Sequence, residues 1–513
     1  MTSLELLAPA KDLACGIAAI DHGADAVYIG AQRFGARSAA GNSLDDIRQL
    51  CDYARPFGVK VYVTVNTILY DDELDATRQL LHDLQEIGVS AILVQDMAVL
   101  QMNHGDCPNE MNHGDCPNDS SVAKIRGTVP VIHASTQTDN RTPEKVRWLR
   151  SLGFSRVVLA RELSVEEIAT IHREVPDVEL EVFVHGALCV SYSGLCYASQ
   201  HCFHRSANRG ECAQFCRMKF SLVDSEGMEV EHDRYLLSLK DMNQSDHLLE
   251  LIEAGATSFK IEGRLKDVGY VKNVTAAYSQ RLNEIISRYP DKYCRSSLGE
   301  CRYTFIPDLR KTFNRGYTTY FLHGRQPNIA SFDTPKAIGE YVGTVKELRG
   351  DSFNVAGVST FANGDGLCFF RPTSLTSELI GFRANRVQGN RIWPYRMPQG
   401  LRPGVRLYRN NDQEFERLLS KPSAERRIPI RLSLRAVDDG FELSAVNQNH
   451  GDCPNDSSVA KIRGARLCRL LPKGRKNFPM IPWKEPLSLV LGDGRRFRLE
   501  FDCTHCQMNV YAP

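Results

Sequence analysis

Residues 22–30, HGADAVYIG, contain the pattern that decides the fold of this 513-residue chain. A helix end passes through a glycine into a short run of mainly apolar residues, which is typical of a buried parallel strand. Three other stretches repeat the pattern: EIGVSAILVQD at 86–96, SLGFSRVVLA at 151–160 and EAGATSFKIEG at 253–263. These near copies indicate a chain built from repeated helix–turn–strand units.

Strand and helix patterns alternate from residue 4 to about residue 285. The strand candidates are 4–8, 26–30, 59–65, 91–95, 131–134, 156–160, 180–184, 235–238 and 258–261. About eight units with short loops favour an α/β fold, a TIM-like (β/α)8 barrel over residues 1–290, rather than an open doubly wound sheet. The doubly wound alternative needs a glycine-rich phosphate loop after its first strand, and LLAPAKDL at 6–13 does not fit that pattern.

Three further regions follow the predicted barrel. Residues 291–335 are expected to form a linker and helical extension. In residues 336–446, short alternating strands separated by glycines predict a small β-barrel domain, which includes a hairpin with its turn at 438–440. Residues 447–513 are predicted to be a short β-rich C-terminal region, truncated or irregular, that ends in a CxxC motif.

Two cysteine-containing features of the chain receive no functional assignment. A lone CxxC, here Cys503 and Cys506, is a weak signal for zinc and leaves a second metal site open. The peptide NHGDCPNDSSVAKIRG occurs at 112–127 and again at 449–464, and NHGDCPN occurs once more at 103–109. Its cysteines and histidines leave a metal-binding tract open. A recent insertion or an assembly artefact is the favoured explanation, because an exact copy in two different contexts is not a structural period.

The composition narrows the class of protein. Hydrophobic residues make up 42% of the chain and charged residues 24%, which is ordinary for a globular protein. The formal net charge is only +1, so any nucleic-acid partner must be held by local patches. We expect no transmembrane segment and no signal peptide, and hence a cytoplasmic protein. In the reducing cytosol, clustered cysteines are metal ligands or catalytic groups more often than disulfides.

Residues 181–217 hold five of the 16 cysteines of the chain. Four of them follow the spacing C-x6-C-x15-C-x3-C, namely Cys189, Cys196, Cys212 and Cys216. An apolar strand leads into this segment, and glycines then interrupt regular structure. Thiolates converge on a soft metal only where the backbone is free to wrap, so the segment predicts a metal or cluster site. The alternative is a group of buried free cysteines. The fifth cysteine, Cys202, is expected to be structural or accidental and not a ligand.

Polar and charged residues follow the predicted strands, which is where a (β/α)8 barrel carries its chemistry. Any one of them alone is equally consistent with a solvated loop residue or an ion pair. Their joint placement beside the cysteine segment predicts a single active site. The predicted catalytic residues are His185, Lys260, Glu262 and Arg264, and the predicted substrate-binding residues are His133, Gln137, Arg161, Arg205 and Arg209.

The cysteine segment resembles the signature of the collagenase-like peptidase family, E-x-F-x2-G-(S/A)-(L/I/V/M)-C-x4-G-x-C-x-(L/I/V/M)-S. The matching residues are Glu181, Phe183, Gly186, Ala187, Leu188, Cys189, Gly194, Cys196 and Ser199, and Ala198 departs from the pattern. LLAPA, ADAVYIG, HASTQ, HGALC, SLKD and FKIEGR also resemble that family. SANRGECAQFCR and the sequence after it are most similar to the branch that makes 5-hydroxycytidine in large-subunit ribosomal RNA.

This resemblance implies an enzyme that hydroxylates a cytidine of 23S ribosomal RNA without molecular oxygen. It further implies an iron–sulfur cluster, of the 4Fe–4S type, with Cys189, Cys196, Cys212 and Cys216 as ligands. Prephenate is implied as the co-substrate that supplies the hydroxyl group. Arg205 and Arg209 suit the RNA phosphates or a dicarboxylate, and Tyr192, Tyr197 and Phe203 suit either base stacking or core packing.

Two alternative functions stay open. A peptidase acting on collagen-like chains needs a nucleophile with a base, or a zinc site with an open position. The chain contains neither HExxH nor GxSxG, although His185 near Cys189 resembles a Cys–His pair. The other alternative is a non-catalytic, cluster-bearing accessory of a hydroxylation complex.

Overall fold

The computed structural model describes residues 1–35, 41–103, 131–373, 376–437, 440–447, 460–462, 487–490, 496–502 and 507–511, with side chains up to residue 429. Cys503, Cys506 and all but 103 and 460–462 of the duplicated peptide lie outside these residues. Within the described part of the chain, no helix combines the length and the apolar character needed to cross a membrane.

The N-terminal part of the chain forms an eight-stranded parallel barrel. The strands of this part are β1 (Thr2–Ala10), β2 (Ala26–Gly30), β3 (Lys60–Val65), β4 (Ala91–Val94), β5 (Val131–Ala134), β6 (Arg156–Val158), β7 (Glu179–Ala187), β8 (Phe220–Val223), β9 (Glu229–Arg234), β10 (Asp241–Asn243) and β11 (Ala256–Ile261). β1 to β7 pair in parallel in chain order, and β11 pairs in parallel with both β7 and β1, which closes the barrel. The predicted TIM-like fold class is confirmed.

The predicted strand at 235–238 is wrong. These residues form a turn, in which the Ser238 N–H donates to the Tyr235 carbonyl oxygen at 3.0 Å. The Arg217 guanidinium donates to the Ser238 hydroxyl at 2.8 Å and to the Leu239 carbonyl at 2.6 Å. The backbone here also pairs with residues 329–332, since the Tyr235 N–H donates to the Phe332 carbonyl at 3.0 Å and Leu239 forms an isolated bridge with Ala330. The turn therefore contacts the cysteine segment and a later part of the chain, and it is not a strand of the parallel barrel. β8 and β9 form an antiparallel hairpin just before the turn, and β10 pairs antiparallel with the end of β7.

Helices alternate with the strands and cover the outside of the barrel, except for the short helix at 198–203, which belongs to the segment that follows β7. They are α1 (Leu13–Asp21), α2 (Leu44–Ala54), α3 (Leu74–Ile87), α4 (Ala98–Asn103), α5 (Pro143–Ser151), α6 (Val165–Glu174), α7 (Ala198–Phe203), α8 (Leu248–Glu253) and α9 (Val268–Arg288). The predicted capping box at Ser164 is confirmed, because its hydroxyl accepts from Glu167 N–H and the Glu167 carboxylate accepts from Ser164 N–H. Gly88 ends α3 in the left-handed conformation that glycine tolerates best.

Two apolar layers stabilise this barrel. The larger lies between the strands and the helices and includes Leu4, Val27, Val63 and Ile92. The smaller lies inside the barrel, where the rings of Tyr28, Tyr62 and Phe183 are joined by residues from outside the strands: Leu188, Leu239 and Tyr320. We call the end of the barrel where the carboxyl ends of its strands meet the barrel mouth.

A second, smaller barrel follows. β12 (Tyr293–Arg295) pairs with β1, β13 (Glu300–Tyr303) pairs with β21 (Ala424–Arg427), and β14 (Tyr317–Thr318) pairs with β10. The closed six-stranded antiparallel barrel consists of β15 (Glu340–Arg349), β16 (Ser352–Ala356), β17 (Gly366–Pro372), β18 (Ser377–Gln388), β19 (Arg391–Pro394) and β20 (Arg406–Asn411). α10 (Gln413–Leu419) then packs against α9.

Two small sheets complete the described chain. β22 (Ile430–Val437) and β23 (Gly440–Asn447) form the predicted hairpin and are joined by β24 (Ala460–Ile462). β25 (Leu487–Val490), β26 (Arg496–Asp502) and β27 (Gln507–Tyr511) form the other sheet. The predicted small β-barrel is confirmed in β15 to β20, whereas the domain boundaries stay a prediction.

Candidate active site

A buried ion network lies inside the eight-stranded barrel. The Arg156 side chain, 3% exposed, forms ion pairs with Glu5 and with Glu181, the latter at 3.4 Å. The Tyr62 hydroxyl donates to Glu5 Oε2 at 2.8 Å. Burial by itself would raise the pKa of Glu5, but the Arg156 guanidinium lowers it to about 2. These charges compensate one another within the barrel, so the network stabilises the fold.

Lys260 connects this network to the barrel mouth. Its ammonium donates to Glu181 Oε1 at 2.8 Å and lies 4.5 Å from the Tyr28 ring centroid and 5.4 Å from that of Phe183. Burial lowers the pKa of Lys260, although the Glu181 carboxylate opposes the shift. Lys260 is thus enclosed by the barrel wall next to two rings, and its predicted catalytic role stays a prediction.

Arg161, Glu262 and Arg264 lie together at the mouth. Arg161 Nη2 is 3.3 Å from Glu262 Oε2, and both side chains keep some exposure, 14% and 17%. The Arg161 guanidinium also lies 3.7 Å from the Phe183 ring centroid. Arg264 donates to the Thr64 hydroxyl at 2.6 Å. The structure therefore brings three predicted site residues to the mouth. The guanidinium groups of Arg161 and Arg264 suit a carboxylate or phosphate ligand.

Buried polar atoms without a described hydrogen-bond partner lie on three neighbouring strands or just after them. They are Thr67 Oγ1 after β3, Gln95 Oε1 after β4 and His133 Nδ1 within β5. Burial, followed by the Arg156 charge, lowers the pKa of His133 well below its usual value, so this imidazole is neutral. A buried polar atom without a partner costs free energy unless a ligand or water pairs with it. These atoms indicate that the mouth binds a polar ligand.

His185 lies elsewhere. It is 1% exposed, its ring is 5.5 Å from the rings of Tyr278 and Tyr317, and its Nδ1 is 3.3 Å from the Tyr278 hydroxyl. Burial lowers its pKa to about 3. The His185 side chain therefore lies beneath α9, although its backbone carbonyl accepts a hydrogen bond from the Glu262 N–H at 2.8 Å. Its predicted catalytic role stays a prediction that this position does not favour.

Residues 188–217, which we call the cysteine loop, are fixed against the barrel mouth. The Glu162 carboxylate accepts hydrogen bonds from the Ser193 N–H at 2.9 Å and the Ser193 hydroxyl at 3.1 Å. Gly194 lies so close to the 3-10 turn after β5 (Thr136–Thr138) that an added Cβ would be 2.1 Å from the Gln137 carbonyl oxygen. Arg217 donates to the Leu188 carbonyl at 3.0 Å. The predicted substrate residue Gln137 therefore lies directly under the loop.

The four predicted ligand cysteines are free thiols that interact with one another. Burial raises the pKa of Cys216, and the charges of Cys189, Cys212 and Cys196 raise it further. Cys189 retains exposed surface, yet burial raises the pKa of its thiol too, with smaller contributions from Cys196 and Cys212. These thiols therefore lie within electrostatic range of one another, and Cys189, Cys196, Cys212 and Cys216 fit a cluster as a sulfur donor set.

The thiols also lie close to the barrel mouth. After burial, which raises the pKa of Cys189, the Arg161 guanidinium is the charge that lowers it. Tyr320 lies at the same place: burial raises its pKa to about 12, and the charges of Glu162 and Cys189 contribute. The cysteine loop and the mouth therefore form one site. Sequence reasoning missed Tyr320, whose only signal was the aromatic pair in TTYF at 318–321 within a predicted linker.

Arg205 and Arg209 differ in their surroundings. Arg205 is exposed. Arg209 forms a two-pronged ion pair with Glu73, at 2.8 Å and 2.7 Å, and donates to the Ile68 carbonyl at 2.6 Å. Arg209 thus connects the cysteine loop to the segment after β3. Its predicted contact with substrate stays a prediction, as does that of Arg205.

Three aromatic side chains of the loop point to solvent. Tyr192 is 47% exposed, Tyr197 62% and Phe203 41%. The core-packing alternative for these residues is therefore wrong, and their rings are accessible for stacking.

Comparison with known proteins gives the family of the chain. Residues 11–118 and 118–331 match the family described as Peptidase family U32. The chain is 45% identical over 454 residues to the 23S rRNA 5-hydroxycytidine C2501 synthase of Escherichia coli (strain K12), across 87% of this chain and 65% of that protein. It is 31% identical over 381 residues to tRNA hydroxylation protein P1 of Bacillus subtilis (strain 168), across 72% of this chain and 83% of that protein.

A relative with a different name is similar over a shorter stretch. The chain is 30% identical over 345 residues to the Collagenase of Porphyromonas gingivalis (strain ATCC BAA-308 / W83), across 64% of this chain and 75% of that protein. The family match begins directly after β1 and extends over the other seven strands of the parallel barrel, the cysteine loop and the segment up to residue 331. The chain belongs to peptidase family U32.

Proposed function

We propose that this chain is an RNA-modifying enzyme that hydroxylates carbon 5 of a cytidine in 23S ribosomal RNA. The observation that carries the proposal is the 45% identity to the E. coli 5-hydroxycytidine synthase over 87% of this chain. The chain spans 65% of that protein's length, so its activity and its RNA substrate are part of the proposal. The union of cysteine loop and barrel mouth in one site supports it.

An iron–sulfur cluster is the proposed cofactor, held by Cys189, Cys196, Cys212 and Cys216. The mutual interaction of these thiols and the sulfur-only donor set support this assignment. When bound, such a cluster supplies one-electron transfer. The 4Fe–4S type is part of the proposal.

Prephenate is the proposed source of the hydroxyl group. Its two carboxylates suit the guanidinium groups of Arg161 and Arg264, which both lie at the mouth. Thr67 and Gln95 offer polar atoms for its remaining oxygens. Replacing the C5 hydrogen of cytosine by a hydroxyl group is a two-electron oxidation, so prephenate is proposed as the two-electron acceptor as well as the hydroxyl donor: its C–OH bond breaks, and its carbon keeps the electron pair and takes up one proton. The proton that leaves C5 can be accepted by Glu262 Oε2, the carboxylate at the mouth that is paired with Arg161.

The target base is expected to reach the mouth from a single-stranded segment. A base inside a duplex cannot enter a barrel, so it must be unstacked first. Tyr192 and Tyr197 offer exposed rings for stacking beside the thiols, and Arg205 offers a guanidinium for a neighbouring phosphate.

The test is complementation of an E. coli strain that lacks its own 23S rRNA 5-hydroxycytidine C2501 synthase. Mass spectrometry of digested ribosomal RNA should show 5-hydroxycytidine restored by this chain and by Cys202→Ala, but not by Cys189→Ala. Cys202 is the matched control because it is an exposed cysteine of the same loop. If no chain restores the nucleoside although all are produced, the proposed reaction is wrong. If Cys189→Ala restores it as well as wild type, the cluster assignment is wrong.

A second measurement separates the alternatives. In cells that cannot make prephenate, the restored nucleoside should disappear and return when prephenate production is supplied. Purified, metal-free protein should leave gelatin intact. Gelatin cleavage by that preparation would favour the peptidase alternative, and modification that requires a second host protein in vitro would favour the accessory alternative.

A further inference from the structure

The six-stranded barrel is the basic part of an otherwise balanced chain. Residues 340–411 contain ten Lys and Arg but five Asp and Glu, whereas the whole chain contains 63 and 62. A local excess of this kind is the electrostatic footprint expected of a nucleic-acid contact on a protein without overall charge.

The acidic residues of this barrel compensate only some of its arginines. Glu340 and Asp365 pair with Arg409, which is 7% exposed. Glu347 pairs with Arg349 at 2.8 Å, and Glu378 pairs with Arg371. The remaining arginines are therefore the source of the positive surface potential.

Three arginines on one side of the barrel lie against aromatic rings. Arg386 of β18 is the register partner of Trp393 of β19, and its guanidinium carbon is 4.8 Å from the indole centroid. The Arg391 guanidinium carbon is 4.7 Å from the same ring, and that of Arg396 is 6.0 Å from the Tyr395 ring. We call these residues the arginine–aromatic stripe; its members are Arg386, Arg391, Trp393, Tyr395 and Arg396.

The stripe is open to solvent. Arg386 and Arg396 are exposed, and the Tyr395 side chain is 83% exposed. Within the described part of the chain, none of its three arginines forms an ion pair. Arg391 alone is anchored, by donating to the Ser352 hydroxyl at 3.0 Å and 2.9 Å. The stripe thus presents uncompensated guanidinium groups next to one exposed ring, Tyr395, and one partly buried ring, Trp393.

The stripe lies on the barrel whose edge approaches the cysteine loop. The hydrogen bond with Asp233 is the main cause of the raised pKa of Lys219, just after that loop, and Glu378 of β18 contributes as well. The Glu378 end of β18 therefore lies within electrostatic range of the segment that follows the cysteine loop. Arg386 is on the same strand, roughly 26 Å further along, a distance that a single-stranded RNA of several nucleotides can span.

We propose that the arginine–aromatic stripe binds single-stranded RNA that flanks the target cytidine. This inference rests on the proposed function, since it assigns a second contact to the same substrate. Guanidinium groups bind phosphates, and the rings of Trp393 and Tyr395 stack on unpaired bases. The charge excess favours RNA over a protein partner. The exposed ring of Tyr395 and the partly exposed ring of Trp393 favour a single strand over a duplex, whose bases are already stacked.

The test measures binding of the full chain to a fluorescein-labelled, single-stranded RNA of about 15 nucleotides by fluorescence anisotropy. Arg386→Gln/Arg396→Gln removes two unpaired charges, and Trp393→Ala removes the ring. Each variant should bind roughly tenfold more weakly than wild type. For the double variant, the slope of log Kd against log salt should fall by about 0.7 for each removed phosphate contact.

The matched control is Arg349→Gln/Arg371→Gln, which removes two charges from the same barrel. Because Glu347 and Glu378 already compensate these arginines, the control should bind RNA within about twofold of wild type. Circular dichroism and thermal melting verify that all variants are folded. Equal weakening by both double variants, or no weakening by the stripe variants, would overturn the proposal.

The failure of the stripe and the failure of the proposed function are distinguishable. If wild type restores 5-hydroxycytidine while stripe variants bind RNA as wild type does, only the stripe is wrong. If wild type restores no 5-hydroxycytidine, the proposed reaction is wrong, and the anisotropy result still decides whether the stripe binds RNA.

Discussion

Inside the eight-stranded barrel, Arg156 and Glu5 lie in one ion network at 3% side-chain exposure, with Glu181 fully buried beside them. In the cysteine loop above it, Cys189 and Cys212 are exposed, and Cys196 and Cys216 are partly exposed free thiols. In the barrel interior, the charged side chains neutralise one another. In the cysteine loop, the thiols are free and accessible to a ligand. We therefore expect the reaction to take place at the cysteine loop and the barrel mouth, and we expect the ion network to stabilise the fold.

The barrel interior is expected to give the largest loss of stability when its compensation is broken. Arg156→Met leaves Glu5 and Glu181 buried without their shared guanidinium. Because breaking a buried ion network strands uncompensated charge, we expect the free energy of unfolding to fall by about 3–5 kcal/mol. Chemical denaturation at neutral pH measures it. Glu174→Gln, which breaks only the exposed pair with Arg147, is the control and should cost less than about 1 kcal/mol.

If Arg156→Met and Glu174→Gln cost the same, the network contributes no more than a surface pair. The ion network would then not be a major source of the stability of the barrel, contrary to our interpretation.

The buried side chain of His185, next to α9, makes the stability of the barrel depend on pH. The pKa of His185 is about 3 in the folded chain because of burial, against an ordinary value of 6.5. The unfolded chain therefore binds the proton more readily, so stability is lost as pH falls below about 6.5 and continues to fall towards 3. Each fully shifted group contributes about 1.4 kcal/mol per pH unit in that window.

We expect His185→Gln to reduce the slope of unfolding free energy against pH by about that amount between roughly pH 6 and pH 4. The slope, not the absolute stability at neutral pH, is the readout, because the substitution also loses the contact with Tyr278. An unchanged slope would mean that His185 is protonated in the folded chain and is not enclosed as described.

The close contact between the cysteine loop and the barrel mouth requires a glycine at position 194. A Cβ there would be 2.1 Å from the Gln137 carbonyl oxygen, at a φ of +81°. Gly194→Ala should therefore lift the cysteine loop from the mouth and cost about 1–3 kcal/mol. Gly227→Ala is a matched control, because Gly227 has the same φ of +81° but no atom within 4 Å of an added Cβ.

Thermal melting and limited proteolysis of the loop compare the two variants. Gly194→Ala should be cleaved faster within residues 188–217 than Gly227→Ala. Equal cleavage would show that backbone strain alone, and not the contact with Gln137, determines how the loop is held.

Much of the barrel was predictable because its determinants are local. A glycine lies just before five of the eight parallel strands (β2, β3, β4, β6 and β11). Apolar runs such as 26–30 and 91–94 follow within a few residues, so the repeated units could be counted. The grouping of the thiols was also predictable, since all four cysteines lie in one segment of 28 residues. Gly194 and Gly210 allow the chain to turn, so that Cys212 and Cys216 lie near Cys189 and Cys196.

The position of His185 was not predictable from alternation. The pairing of β7 with β11 shifts register between Lys260 and Ile261, so that Phe183 faces Lys260 but His185, not Val184, faces Ile261. Such a bulge changes the side of the strand on which the following residue lies, and a period of two does not reveal it. The same holds for Arg209, whose partner Glu73 is 136 residues away.

Substitution of Arg209 has the smallest expected effect on stability. It tests whether Arg209 positions the cysteine loop or contacts the substrate. Its pair with Glu73 is partly exposed, 23% for each side chain, so Arg209→Gln should cost only about 0.2–1 kcal/mol. If Arg209 is a positioning residue of the loop, Glu73→Gln should cost the same, and the double variant should cost no more than either single one. RNA affinity should then change equally in both single variants. A loss of RNA affinity in Arg209→Gln that Glu73→Gln does not share would instead identify Arg209 as a substrate contact, because only the guanidinium, and not the carboxylate, binds phosphate.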